Sequence, residues 1–291
     1  MPDSSSKVSI VLPTYNGASY LRQSIESCLC QTHKNLELII IDDGSTDATP
    51  AIVRSFQDDR IRYVCQPENQ GHVKALNRGF AMANGDFLTW TSDDNYYCTE
   101  AIETMANALL KDTSIDFVYA NYDVIDTQGA VIRRGRVEPP EGLDADNYVG
   151  GCFLYRRRVY ETIGDFSEEA FLAEDYEYWL RVREKFTMKK LEAVLYCYRS
   201  HDKSLTAEHT EEKVQSQVER IRERYISPWK RHYYRGRKFF YANQKPDAQR
   251  ELLRSFRMNP FYYETWRLLI LLILNPVAVH KIREWKSSLK K

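Results

Sequence analysis

The sequence predicts an α/β protein: a mostly parallel sheet flanked by helices, with an α-helical C-terminal extension. Short apolar runs alternate with helix-period segments through the first hundred residues, the pattern of a parallel sheet covered on both faces. Acidic clusters stand where those runs end, and ligands of open α/β sheets bind beyond the carboxyl ends of the strands. After about residue 208 the pattern turns wholly helical.

The elements follow in order. Val8-Ser9-Ile10-Val11-Leu12, ended by Pro13, suits a buried strand. Leu21, Ile25, Cys28 and Leu29 recur at helical spacing. Leu38-Ile39-Ile40-Ile41 is a second buried strand that stops at Asp42-Asp43-Gly44. Thr46 or Asp47 can cap the next helix, whose inner face is Ile52, Val53 and Phe56. Arg62-Tyr63-Val64 reads as a third strand, and a helix over 73–83 stops at Asn84-Gly85 before a strand over 87–91. Beyond it, Thr127-Gln128-Gly129 marks a turn between short strands, and 151–155 is a further strand. Residues 158–163 form a helix stopped by Gly164, 176–183 a helix with Trp179 and Leu180 inward, and 194–198 a strand. Residues 235–260 have a helix–turn–helix look, and a single such unit is weak evidence of a repeat.

Composition narrows the function. Lysine plus arginine equals aspartate plus glutamate at 41 each, which argues against a dedicated nucleic-acid binder. The balance hides a basic excess from about Lys230 onward. The six cysteines are scattered without a C-x-x-C pair, so they read as small buried hydrophobes in a reducing compartment. Residues 1–7 are polar and show no signal peptide. The longest apolar stretch, 268–279, is broken by Asn275-Pro276 and is too short to span a bilayer. The expected location is therefore cytoplasmic.

Asp93 and Asp94 stand just past the strand over 87–91. Adjacent carboxylates repel unless a cation or solvent screens them, and hard oxygen ligands suit Mg²⁺ or Mn²⁺ shared with substrate phosphates. Alone, the pair reads equally well as an exposed loop with a helix-capping aspartate.

The surrounding motifs break that tie. Val8 to Leu12 with Pro13-Thr14-Tyr15-Asn16, then Ile41-Asp42-Asp43-Gly44-Ser45-Thr46-Asp47, resemble the opening of the family 2 glycosyltransferases. Asn69-x-Gly71, Asn77-x-Gly79, Ala83-x-Gly85-Asp86, Ile163-Gly164-Asp165-Phe166 and Glu174-Asp175-Tyr176 continue the similarity, which ends near Tyr198-Arg199-Ser200-His201. Several motifs in order are far more specific than one. The resemblance implies a GT-A nucleotide-sugar-binding catalytic domain over 1–205 and a basic, aromatic helical extension over 206–291.

The resemblance also implies roles. Asp43 would accept from the N–H of a uracil or thymine base, Tyr15 would offer it a stacking face, and Pro13 and Asp93 would belong to the same nucleotide-binding set. Asp42 would only stabilise its turn. Asp94 would be the first metal ligand, with His201 near the metal or diphosphate, the cofactor being Mn²⁺ or Mg²⁺. Many relatives carry an aspartate where Thr91 stands, which leaves the ligand set open. Asp175 would be the general base of an inverting transfer, a role compatible with capping its helix. Lys74 reads better as a solvated helix lysine than as a diphosphate contact.

The expected partners are a nucleoside-diphosphate sugar, with UDP or dTDP favoured, and a glycan or lipid-linked acceptor. The basic tail is open to three readings: ordinary helix packing, peripheral contact with the inner face of a membrane through Trp266, residues 268–274 and 281–291, or a homodimer. A catalytically decayed nucleotide-sugar- or glycan-binding module is the non-enzymatic alternative, against which the presence of both Asp94 and Asp175 speaks. A nucleotidyltransferase would need a glycine-rich, basic loop after the first strand, which Pro13-Thr14-Tyr15-Asn16-Gly17 does not supply.

Overall fold

A computed structural model describes residues 6–273 of the chain, apart from Thr206 and Glu208. Those residues fall into two compact units, one up to Val218 and one from Glu219 onward.

The first unit opens as expected. Strand β1 (Val8–Thr14) leads to helix α1 (Leu21–Leu29), β2 (Leu36–Asp42), α2 (Thr49–Arg54), β3 (Ile61–Cys65), α3 (His72–Met82) and β4 (Phe87–Trp90). All seven residues of β1 and of β2 are buried, as strands covered on both faces must be. Then come β5 (Tyr96–Tyr97), α4 (Ala101–Lys111), β6 (Phe117–Ile125), β7 (Val131–Gly135), β8 (Phe153–Arg156) and α5 (Arg157–Ile163). Helix α6 (Glu174–Lys185), the long strand β9 (Met188–Arg199) and α7 (Glu211–Tyr225) follow, the last crossing the boundary between the units.

One nine-stranded sheet carries the unit, in the order β3-β2-β1-β4-β8-β6-β9-β5 with β7 beside β6. The strands β3, β2, β1 and β4 are mutually parallel. Beyond β4 the sheet is mixed: β8 is antiparallel to both β4 and β6, while β6 and β9 run parallel. The mostly parallel expectation thus describes the first half. Register slips twice between β6 and β9, around Asn121, and such irregularities bend a strand and re-aim its side chains.

One large core packs Ile10, Leu12, Ile25, Leu38, Ile40, Ile102, Met105, Val118 and Leu154 between sheet and helices. Phe117, Phe153, Phe166, Tyr178 and Trp179 form an aromatic cluster, with Phe153 and Trp179 ring centroids 4.6 Å apart. Trp179 is fully buried and anchors α6. The cysteines depart from expectation: Cys28 and Cys152 are buried, but Cys30 and Cys65 are exposed.

In the second unit α8 (Pro228–Tyr241), α9 (Lys245–Met258) and α10 (Tyr263–Ile273) share a small core of Tyr233, Leu252 and Leu268. Leu268 is buried there while Trp266, Ile270 and Ile273 are exposed, so the apolar run beginning at 268 is not one free face. Residues 274–291, including the basic segment 281–291, lie outside the described residues. No helix among the described residues is long and apolar enough to cross a membrane.

Candidate active site

The carboxyl ends of β1, β2 and β4 and the N-termini of α3 and α6 open onto a cleft of about 1040 Å³, ample for a nucleotide sugar. Pro13, Tyr15, Asp43, Asp93, Asp94, Asp175 and His201 all line it. Residues expected from separate motifs are therefore brought to one site.

Asp43 lines it and is buried just beyond β2. Its Oδ1 accepts from Gln66 Nε2 at 2.5 Å and from the Gln70 N–H at 2.9 Å, and its Oδ2 accepts from the Gly71 N–H at 2.8 Å. Gly71 has φ 102°, a conformation open to glycine and strained for other residues. A carboxylate offers about four lone-pair positions, so three bonds leave capacity for one ligand donor. Asp42 faces away, accepting from the Ser45 N–H and from Tyr63 Oη, as expected of a turn stabiliser. The Tyr15 ring is about half exposed and is not a core packing residue.

Asp93 and Asp94 diverge. Asp93 Oδ2 accepts from Thr14 Oγ1 at 2.5 Å. Gly17 makes room for it, since a Cβ there would fall 2.1 Å from the same Oδ2. Burial, then the neighbouring Asp94, push the Asp93 carboxyl up to about 7. Asp94 Oδ2 lies 2.9 Å from His201 Nε2, while its buried Oδ1 has no hydrogen-bond partner among the described residues. The backbone of Asp94 is held by Arg199, a buried residue whose Nε donates to the Asp94 carbonyl at 3.0 Å. The same guanidinium donates to Asp126 O and Gln23 Oε1 and lies 4.4 Å from the Tyr20 ring centroid.

Asp94 Oδ1 and His201 are suitable donors for a divalent cation. Among the described residues no cluster of three His, Cys, Asp or Glu side chains surrounds a common point. The donor set thus fits an ion such as Mn²⁺ or Mg²⁺ whose remaining ligands come from phosphate and water.

Asp175 lies in the first turn of α6, where Ala173, not Asp175, is the N-cap. Its Oδ2 accepts from Asn147 Nδ2 and its Oδ1 from the Tyr176 N–H, both at 2.7 Å. Burial first and Glu174 second push its carboxyl up to about 6. The preceding Leu172 is a non-glycine residue at φ 76°, a cost of about 1–3 kcal/mol that surrounding structure must sustain. Lys74 is half exposed with Glu168 3.8 Å away, a solvated helix lysine.

The sequence reading gave no role to Arg199, His72, Asn147 or Glu174. Arg199 and Glu174 fall inside quoted motifs, so those motifs marked their place. His72 follows the Asn69-x-Gly71 turn, and Asn147 lies in an irregular segment with no local signal.

The family model described as "Glycosyl transferase family 2" matches residues 9–164, and the chain belongs to that family of transferase enzymes. An uncharacterized glycosyltransferase of Rickettsia typhi is 34% identical over 210 residues, covering 68% of this chain and 65% of its own length. One from Rickettsia felis is 32% identical over 209 residues but is covered for only 34% of its length, so this chain spans a third to two thirds of these relatives. The Escherichia coli UDP-Glc:alpha-D-GlcNAc-diphosphoundecaprenol beta-1,3-glucosyltransferase WfgD is 28% identical, covering 69% of this chain and 79% of that protein. Among solved structures, S. aureus TarS 1–349 in complex with UDP-GlcNAc has a TM-score of 0.60 at 19% identity, covering 91% of this chain and 79% of that one. This likeness is one of fold, the GT-A fold.

Proposed function

We propose that the chain is an inverting glycosyltransferase moving a sugar from a UDP- or dTDP-sugar to a hydroxyl of a glycan or lipid-linked acceptor. The carrying observation is a single cleft lined by Asp43, the Asp94–His201 pair and Asp175. Asp43 retains the acceptor capacity that a base N–H needs, and Tyr15 has an exposed ring for stacking. Asp94 and His201 would hold a divalent cation, which supplies charge compensation for the departing diphosphate.

Asp175 acts on the acceptor. Its carboxylate takes the hydroxyl proton as that oxygen attacks the anomeric carbon, and the bond from that carbon to the diphosphate oxygen breaks on the opposite face. A carboxyl pushed up to about 6 is a stronger base than an ordinary aspartate and is still ionised near neutrality. A second hollow of about 580 Å³ runs from Phe171 and Leu172 to Lys213 and Gln217. Phe171 and Leu172 also line the main cleft, which supports an acceptor path reaching Asp175. WfgD, named for UDP-Glc and a diphosphoundecaprenol-linked acceptor, and TarS, solved with UDP-GlcNAc, favour UDP as carrier, and WfgD favours a lipid-linked acceptor.

A thermal-shift screen of UDP, dTDP, GDP and their sugars, with and without Mn²⁺, tests the reading. A UDP or dTDP compound at about a hundred times its Kd should stabilise the fold by about 2.7 kcal/mol. No stabilisation by any nucleotide would sink the proposal, whereas binding without turnover would favour a decayed binding module.

A further inference from the structure

Among the described residues, four buried polar atoms on the cleft have no hydrogen-bond partner: Trp90 Nε1, Asp94 Oδ1, Asn147 Oδ1 and Glu174 Oε2. Asp94 belongs to the cation pair and Asn147 already serves Asp175. Trp90 and Glu174 have no such task, and both border one residue, His72. The His72 ring meets Trp90 edge-on, with centroids 5.7 Å apart. His72 Nε2 lies 3.6 Å from Glu174 Oε1, beyond hydrogen-bond length. His72 lines the same cleft as Asp43, Asp94 and Asp175, and all three carboxylates act electrostatically on its imidazole. Gly71, which donates to Asp43, fixes the start of its helix.

We propose that His72, Trp90 and Glu174 read a ring hydroxyl of the transferred sugar. The inference rests on the transferase reading and deepens it. A hydroxyl is both donor and acceptor. It can donate to the orphaned Glu174 Oε2 and accept from Trp90 Nε1 or from His72, filling the gap those groups leave. No other single group of a hexose satisfies an orphaned acceptor and an orphaned donor at once. On the transferase reading the sugar lies among these groups, with the base at Asp43, the diphosphate at Asp94 and the acceptor at Asp175. These are specificity-determining contacts, since a donor lacking the hydroxyl strands buried polar groups, whereas one with it completes them.

The test uses UDP-glucose with its 2-, 3- and 4-deoxy analogues and UDP-GlcNAc with its 3- and 4-deoxy analogues, measuring kcat/KM for donor turnover, and titrates UDP separately by calorimetry. In the native chain one deoxy position should lower kcat/KM by about a hundredfold or more, and His72→Ala or Trp90→Phe should cut that penalty to about threefold. UDP affinity should stay within about twofold in both variants, and His72→Gln should restore part of the discrimination. A variant that keeps the native deoxy penalty, or a native chain indifferent to every deoxy donor, overturns the inference. So does a loss of UDP affinity equal to the loss of turnover. Failure of the native chain to bind UDP at all would instead remove the transferase reading beneath it.

Discussion

Two sets of polar residues at the cleft are built on opposite terms. Just beyond β2, Asp43 is held by three donors from the segment between β3 and α3, and Asp42 by two donors. In the second set Asp94, Asn147, Glu174 and Trp90 each keep a buried polar atom without a partner among the described residues, and burial raises the carboxyls of Asp175 and Glu174. One set is satisfied within the protein and the other is not. A stability cost concentrated where chemistry is done is the usual trade between stability and activity.

Mutations should expose this difference as stability changes of opposite kind. Asp43→Ala strands Gln66 Nε2 and the Gln70 and Gly71 N–H groups, so it should cost about 2–4 kcal/mol in chemical denaturation and abolish UDP binding. Asp94→Ala should leave the fold intact but lower UDP affinity in Mn²⁺ by about 10- to 100-fold, read by calorimetry with and without chelator. Undiminished Mn²⁺ dependence would remove Asp94 from the metal. Glu174→Gln replaces a buried, strained charge and should change stability by no more than about 1 kcal/mol, with a gain as the expected sign. A large loss would mean that this second set is structural after all.

The smallest effect concerns pH. The Asp175 carboxyl titrates at about 6 instead of 3.8, so kcat/KM should rise as pH passes through about 6. The raised value also means that the native state holds this proton more tightly than the unfolded chain. Its stabilising share is therefore full below 3.8 and lost as pH rises through about 6. Asn147 Nδ2 favours the ionised form, so Asn147→Ala should move the acidic limb upward by a few tenths to about one unit. A limb that moves down would put the base elsewhere.

The legibility of the sequence follows the same division. The strands β1 and β2 are unbroken apolar runs because both faces are covered, and they announced the fold and the positions of Asp43 and Asp94 at strand ends. Strand β9 is legible only over 194–198, since its first half mixes Lys189, Lys190 and Glu192 with apolar residues in an irregular register. Helix α4, with Ile102, Met105 and Leu109 buried, went unread although its spacing carried the signal. Asp175 was legible through its motif, but Asn147, 28 residues away in sequence, becomes its partner only through tertiary packing. His72 and Arg199 likewise take their roles from distant groups: Glu174 and Trp90 for one, Asp94 and Gln23 for the other. Local pattern reports burial and element ends, not which ends meet.

The most direct test of the whole account pairs two readings on Asp175→Asn: UDP affinity by calorimetry and sugar transfer under saturating donor. The account predicts affinity within about twofold of native and transfer reduced by about 10²- to 10⁴-fold, the loss expected of a general base. Transfer at the native rate, or affinity lost in step with turnover, would contradict it.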